Sequence, residues 1–107
     1  MPEETRYGVV LLTTPSRAEG EKIASVLVET QLAACVSLTP VYSVYSWQGK
    51  IHRDEEWQLI IKTDLAKFDT VAAKVQELHS YEVPEIVALP IVAGLKAYLQ
   101  WIAENVS

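Results

Sequence analysis

The sequence has few of the residues and segments that mark several common classes of protein. It contains one cysteine, Cys35, among 107 residues, so no internal disulfide framework can form. No apolar run approaches the roughly 20 residues that cross a bilayer. The start, Met1 to Glu4, is polar and acidic, unlike a cleavable leader. We therefore expect a soluble, cytoplasmic protein that makes no membrane contact.

Basic residues and catalytic motifs are also scarce. Nine Lys and Arg residues stand against 14 Asp and Glu, which gives a net charge of -5 and disfavours binding to nucleic-acid backbones. The sequence has no Gly-rich phosphate loop, HExxH, Cys-x-x-Cys or nucleophile elbow. We predict that the protein is not an enzyme, has no organic cofactor and binds no nucleic acid.

The first half of the chain shows the pattern of a strand, a helix and a hairpin. Half of the residues are hydrophobic, and the length indicates one domain over residues 1–107. An apolar run predicts a buried strand from Arg6 to Thr14. Ser16 and Glu19 have the spacing of a capping box, which predicts a helix that begins at Arg17 and ends at Gln31 or Leu32.

Two long strands are predicted next, Ala34 to Trp47 and Lys50 to Thr63, with Gln48-Gly49 as the turn. Pro40 indicates a bulge or a sheet edge within the first of them. Both strands approach twice the usual length of about 5–6 residues, so we expect a projecting hairpin that pairs with neighbouring subunits. Three aromatic residues are predicted at that subunit interface: Tyr45, Trp47 and Trp57.

The second half predicts a helix, a short strand and a last helix. Asp64 is the expected cap of a helix with an apolar stripe from Phe68 to Leu78. Glu85 to Val92 predicts a strand, and Gly94 opens a helix whose expected buried face is Leu95, Tyr98, Leu99 and Ile102. The element order predicts an α+β, ferredoxin-like split βαββαβ sandwich plus a C-terminal helix. Its helices would cover one sheet face, and we expect the other face to be buried between subunits.

The segment from His79 to Ile86, His-Ser-Tyr-Glu-Val-Pro-Glu-Ile, concentrates side chains that can do chemistry. His79 could ligate a metal or transfer a proton near neutral pH, and the carboxylate of Glu85 could also ligate a metal. An alternative is a structural role, in which His79 bonds to a carbonyl or carboxylate at a helix end. Tyr81 and Glu85 would then tie the loop to the next strand.

Several segments resemble the CutA family of divalent-cation-tolerance proteins. They are Ala33 to Val36, Val44 to Ile51, Ile61 to Thr63, His79 to Ile86 and Tyr98 to Ile102. The resemblance spans nearly the whole chain and implies a homotrimer similar to the PII nitrogen-signalling proteins. It also implies a link to tolerance of copper and other divalent metals. At positions where bacterial relatives have been assigned metal ligands, this chain has Leu12, Leu78 and His79, of which His79 alone can ligate.

Four residues are predicted to line a ligand cleft: Cys35, Lys62, Tyr81 and Glu85. Lys62 lies in an apolar strand, so we expect it to pair with a carboxylate such as Glu85 or to attract an anionic ligand. The apolar neighbours of Cys35 favour a buried, inert thiol. The acidic run Asp54 to Glu56 near His52 is interpreted as a solvated surface.

Three functions follow as hypotheses. The first is a homotrimer that contributes to metal tolerance by binding Cu²⁺ or another divalent cation weakly, at His79 and Glu85, in an inter-subunit cleft. The second is a PII-like signalling module that binds a small anionic ligand or a protein partner. The third is a stable scaffold that has no tight metal site. An enzyme that uses the same cleft ranks last, because no nucleophile can be paired with an orienting base.

Overall fold

A computed structural model describes residues 6–107. Met1 to Glu4, on which the expectation about a leader rests, lie outside the described residues. The chain forms strand β1 (Tyr7–Thr14), helix α1 (Arg17–Glu29), strands β2 (Cys35–Trp47) and β3 (Lys50–Asp64), a 3₁₀ turn (Leu65–Lys67), helix α2 (Phe68–Leu78), strand β4 (Val87–Pro90) and helix α3 (Lys96–Asn105). This order confirms the predicted α+β sandwich.

The four strands form one antiparallel sheet in the order β2-β3-β1-β4. Burial alternates along β1, so Val10 and Leu12 are fully buried while Val9 and Leu11 are only partly covered. The buried face packs against α1 and α2 in a single core, as the two-residue period of a half-buried strand requires. Both helices therefore cover one face of the sheet, as predicted.

Helix α1 begins where the capping signal places it and ends earlier than predicted. The Ser16 hydroxyl accepts a hydrogen bond from the Glu19 N–H at 3.2 Å. The helix stops at Glu29, not at Gln31 or Leu32. Gln31 adopts a left-handed conformation with φ of 61°, which cannot continue a right-handed helix.

The β2–β3 hairpin is as long as the sequence predicts, with 13 and 15 residues in its strands. Its register is continuous from Cys35 opposite Lys62 to Trp47 opposite Lys50, so the bulge considered at Pro40 is absent. Strand β2 is an edge of the sheet. An edge strand tolerates Pro40 although proline has no backbone N–H to donate to a neighbouring strand. Positive φ angles at Gln48 and Gly49, 52° and 79°, form the tight turn.

The C-terminal elements differ from the prediction in their bounds. Strand β4 covers four residues within the predicted segment, Val87–Pro90, and ends at Pro90 opposite Gly8. Helix α3 begins at Lys96 instead of Gly94. Ile102 is buried as predicted, but Leu95 and Tyr98 are exposed in the single chain. No helix within residues 6–107 is long and apolar enough to cross a membrane.

The face of the sheet that carries no helix is here called the open face. The ladder places cross-strand rows on it: Cys35, Lys62, Val9 and Leu89 in one row, and Ser37, Ile60, Leu11 and Val87 in the next. Val87 and Leu89 are about half exposed. The open face therefore presents apolar side chains to solvent in the single chain, as the sequence predicts.

Candidate functional site

His79 lies at the C-terminal end of α2 and is fixed by bonds from two other segments. Its ring Nε2 lies 2.7 Å from the carbonyl oxygen of Thr13, and its Nδ1 accepts the N–H of Tyr81 at 3.0 Å. Because Nδ1 accepts a hydrogen bond, the neutral ring carries its proton on Nε2 and donates it to Thr13. Both ring nitrogens are therefore engaged within the protein, and the side chain is fully buried.

Glu19 connects helix α1 to the loop that follows His79. Its Oε2 accepts hydrogen bonds from the Ser80 N–H at 2.9 Å and the Ser80 hydroxyl at 3.1 Å. The same oxygen lies 3.4 Å from Nδ1 of His79. The side chain of Glu19 thus orders the loop and does not return to the N-cap, as a complete capping box would require.

Tyr81 joins this loop to the long hairpin. Its hydroxyl donates a hydrogen bond of 2.6 Å to Oε2 of Glu56, and its ring lies 4.8 Å from the ring of His79. Burial, followed by the bond to Glu56, raises the pKa of Tyr81 well above its usual range. The phenol therefore stays protonated at neutral pH and continues to donate to the carboxylate.

A second pair of the same kind lies further out on the hairpin. The hydroxyl of Tyr45 donates a short hydrogen bond to Oδ2 of Asp54. This bond is the main reason that the pKa of Tyr45 rises to about 12. Tyr45 and Tyr81 both act as neutral donors to carboxylates of strand β3.

These side chains surround a cavity of about 720 Å³. Its lining contains three carboxylates, Glu56, Glu82 and Glu85, and three aromatic rings, Tyr45, Trp47 and Tyr81. The hydroxyls of Thr13, Ser43 and Ser80 complete its polar part, and no lysine, arginine or histidine lines it among residues 6–107. The cavity is within the size range of small-molecule sites, and its charge favours a cation.

Of the four residues predicted to line a ligand cleft, Tyr81 and Glu85 line this cavity. Cys35 and Lys62 do not line it; they lie opposite each other on the open face, in strands β2 and β3. Within residues 6–107, no carboxylate lies within ion-pair distance of Lys62, so the pair with Glu85 is not formed. Cys35 is half-buried and free.

The aromatic residues predicted at the subunit interface divide between the two sheet faces. Tyr45 and Trp47 line the cavity. Trp57 lies opposite Thr14 on the face that carries the helices, where the guanidinium of Arg17 is 5.6 Å from the centre of its ring. Trp57 is therefore partly covered by its own chain, and its role at an interface stays a prediction.

Glu56 is the functional candidate that the sequence interpretation missed. It was assigned to a solvated acidic run, yet it is only 5% exposed. The signal was the two-residue alternation of β3, which places Glu56 on the same face as Gln58 and Ile60. A nearly buried carboxylate on the open face indicates a partner or a ligand, because an unpaired buried charge is costly.

We expect Tyr81→Phe to lower the free energy of unfolding by roughly 1–2 kcal/mol, because it leaves the buried carboxylate of Glu56 without a donor. The folded-state pKa of Tyr81 is raised, so this contribution is present below pH 10.0, the ordinary pKa of tyrosine, and is lost as the pH rises toward the folded-state value. Urea unfolding at pH 7.5 and 10.5 measures it. The stability difference between wild type and variant should shrink at pH 10.5. A larger difference at pH 10.5 than at pH 7.5 would contradict a stabilising bond from the Tyr81 hydroxyl to Glu56.

The side chains that could ligate a metal are few in the region predicted for His79 and Glu85. No group of three or more His, Cys, Asp or Glu side chains within residues 6–107 converges closely enough to hold a metal ion. The carboxylates of Glu82 and Glu85 lie on one loop and are exposed. They supply oxygen ligands, which suit hard divalent cations, whereas copper prefers imidazole or sulfur.

The structure thus defines a ferredoxin-like α+β protein with a long hairpin and an acidic cavity at its side. The sequence model of the family CutA1 divalent ion tolerance protein matches residues 8–105. The chain therefore belongs to the CutA1 family.

Several relatives of this chain carry names that describe tolerance of divalent cations. The divalent-cation tolerance protein CutA of Thermus thermophilus is 48% identical over 98 residues, which are 91% of this chain and 95% of the relative. A solved structure of the periplasmic divalent cation tolerance protein CutA from Archaeoglobus fulgidus is 44% identical, with a TM-score of 0.93 over 94% of this chain and 99% of that one. The chloroplastic CutA of Arabidopsis thaliana is 44% identical, and the match covers 54% of its length.

Proposed function

We propose that the protein acts as a homotrimer in divalent-cation tolerance and holds Cu²⁺ or another divalent cation weakly at the mouth of the acidic cavity. The observation that carries this proposal is the lining of the cavity, where Glu56, Glu82 and Glu85 occur without a basic side chain among the described residues. The exposed carboxylates can fill only part of the coordination shell of a cation, and water fills the rest. The expected affinity is therefore low.

His79 and Glu85 remain the proposed protein ligands. Glu85 is exposed at the cavity and needs no rearrangement. His79 does not line the cavity: its buried ring lies against Tyr81. It therefore has to turn toward the ion and give up the bond between its Nδ1 and the Tyr81 N–H, which lowers the net affinity. Remaining ligands would come from water or from a neighbouring subunit.

The trimer is supported by the apolar open face and by the length of the hairpin. Among residues 6–107, thirteen large hydrophobic side chains are exposed in the single chain, and contiguous exposed apolar surface marks interaction sites. The open face and the hairpin lie on the same strands, so neighbouring copies can cover both at once.

A cytoplasmic location is part of the same proposal. The name of the Archaeoglobus relative points to the periplasm. Fractionation of cells that express the protein from its own gene distinguishes the two compartments.

Metal binding is tested by native mass spectrometry of chelator-treated protein that is titrated with copper and then with zinc. We expect a trimer that takes up three ions, with affinity reduced about a hundredfold in Glu82→Gln/Glu85→Gln, because each of the two charged ligands contributes on the order of 1.5 kcal/mol. His79→Ala tests the imidazole separately. Glu21→Gln/Glu29→Gln, which changes two exposed carboxylates on α1, is the control for net charge. If the double variant and the control reduce metal uptake equally, the ions do not bind at Glu82 and Glu85, and the proposed site is rejected.

A signalling module that binds a small anionic ligand is the second candidate. Lys62, which has no carboxylate within ion-pair distance among residues 6–107, favours it. Loss of anion binding in Lys62→Ala would support this alternative, whereas the acidic lining of the cavity argues against an anion at that position.

A further inference from the structure

Glu19 has the sequence position of a helix cap but a different role in the structure. In a complete capping box its carboxylate would return to the N–H of Ser16 at the start of α1. It reaches instead to the loop after α2, where its Oε2 accepts the N–H of Ser80 at 2.9 Å and the Ser80 hydroxyl at 3.1 Å. The side chain of Glu19 is only 18% exposed, so these two donors stabilise a largely buried negative charge. Glu19 thus holds a segment that is 61 residues away along the chain.

His79 and Tyr81 extend this connection along the loop. Oε2 of Glu19 lies 3.4 Å from Nδ1 of His79, and the same Nδ1 accepts the N–H of Tyr81 at 3.0 Å. The other ring nitrogen bonds to the carbonyl oxygen of Thr13 in β1. Because the buried imidazole is fixed on both sides, the N–H groups of Ser80 and Tyr81 are held side by side and should be released together.

The hairpin is attached to the same loop. The hydroxyl of Tyr81 donates to Oε2 of Glu56 at 2.6 Å. Further out, Val44 and Ile51 lie on the side of the hairpin that faces the helices, yet they are 57% and 61% exposed in the single chain. The chain's own helices therefore do not cover the outer hairpin, and the bond from Tyr81 links it to the rest of the chain.

We propose that Glu19 is a positioning residue that couples α1 to the hairpin, with the loop from Ser80 to Ile86 as the element that moves. While Glu19 holds Ser80, the loop presents Tyr81 to Glu56. When the loop leaves Glu19, the bond from Tyr81 is lost with it. Both bonds bias the same two-state element, so each stabilises the other. The coupling requires no metal and no other ligand, so it can fail independently of the proposed function.

Amide hydrogen exchange tests the coupling, measured by NMR on the full chain in EDTA, at pH 7.5 and one fixed protein concentration. Glu19→Ala removes the acceptor for both donors of Ser80. The informative probe is the N–H of Tyr81, which bonds to His79 and not to Glu19. We expect its protection factor to fall about tenfold or more, the size of two lost bonds to a carboxylate.

Tyr81→Phe tests the same coupling from the side of the hairpin. It removes the hydroxyl that bonds to Glu56 and leaves the acceptor of Ser80 in place. Because coupling is reciprocal, the protection factor of the Ser80 N–H should also fall about tenfold. The amides of β1 report global unfolding, and the loop amides should exchange faster than these because the loop opens locally. An unchanged Tyr81 N–H in Glu19→Ala, or loop amides that exchange only as slowly as those of β1, would overturn the proposal.

Glu21→Ala is the matched control, because Glu21 is an exposed carboxylate of α1 that pairs with Arg17. It removes the same charge from the same helix and should change the protection of the loop less than about twofold. Equal losses in Glu19→Ala and Glu21→Ala would reject a specific role of Glu19. If Glu19→Ala fails to fold, Ser80→Ala removes only the hydroxyl donor and should lower the protection of the Tyr81 N–H about threefold. No change in Ser80→Ala would contradict the coupling.

Discussion

Replacing Gly8 with alanine is expected to lower the free energy of unfolding by about 3 kcal/mol, the upper range for overpacking a tight interior site. A Cβ atom at Gly8 would lie 2.5 Å from the carbonyl oxygen of Leu89 and 2.5 Å from Cδ2 of Leu65. The leucine side chain can rotate away, but the carbonyl belongs to the backbone of β4, which pairs with β1 through this residue. Relief of the clash therefore requires β4 to move.

The effect should extend to the cavity, because the loop that carries Glu82 and Glu85 leads directly into β4. Urea unfolding at one fixed protein concentration measures the change, since subunit association links stability to concentration. Gly94→Ala is the control: its Cβ would meet only the side chain of Leu99, at 3.1 Å or more, and should cost less than about 1 kcal/mol. Equal effects of the two substitutions would mean that β1 and β4 do not approach as closely as described.

The core of the fold could be predicted because its signals are local and periodic. The apolar run of β1, the Ser16 cap and the two-residue alternation of β3 each determine structure within a few residues. The errors lie at element ends. The left-handed conformation of Gln31 and the short pairing of β4 with β1 depend on contacts that sequence pattern does not contain.

Only part of the candidate site could be predicted from the sequence, because the rest depends on contacts between segments that are distant along the chain. Tyr81 and Glu85 were found because they lie in one short segment of the sequence. Glu56 is 25 residues from Tyr81, and only the folded hairpin brings the two side chains within 2.6 Å. Tyr45 and Trp47 were predicted at a subunit interface, but their position beside the acidic loop required the tertiary structure. A local motif thus located the cavity, and long-range pairing determined its chemistry.

Ile60→Glu is expected to convert the proposed trimer into monomers at micromolar concentration. Ile60 lies on the open face between Ser37 and Leu11 in the neighbouring strands. In an assembly that covers this face, the new carboxylate would lose its hydration, at a cost of several kcal/mol for each of three copies. A contact with Lys62 in the next row of the same face would offset this cost only in part. The single chain leaves this position half-buried, so the carboxylate can still reach water in the monomer, and the fold should persist.

Size-exclusion chromatography with light scattering measures the mass, and circular dichroism confirms that the variant is folded. Ala73→Glu, on the exposed side of α2, adds the same charge and should leave the trimer intact. If Ile60→Glu remains a trimer, the open face does not form the interface. The exposed side chains of Leu95, Tyr98 and Trp101 at α3 would then be the apolar surface left to hold the subunits together, because association of this strength requires buried apolar area.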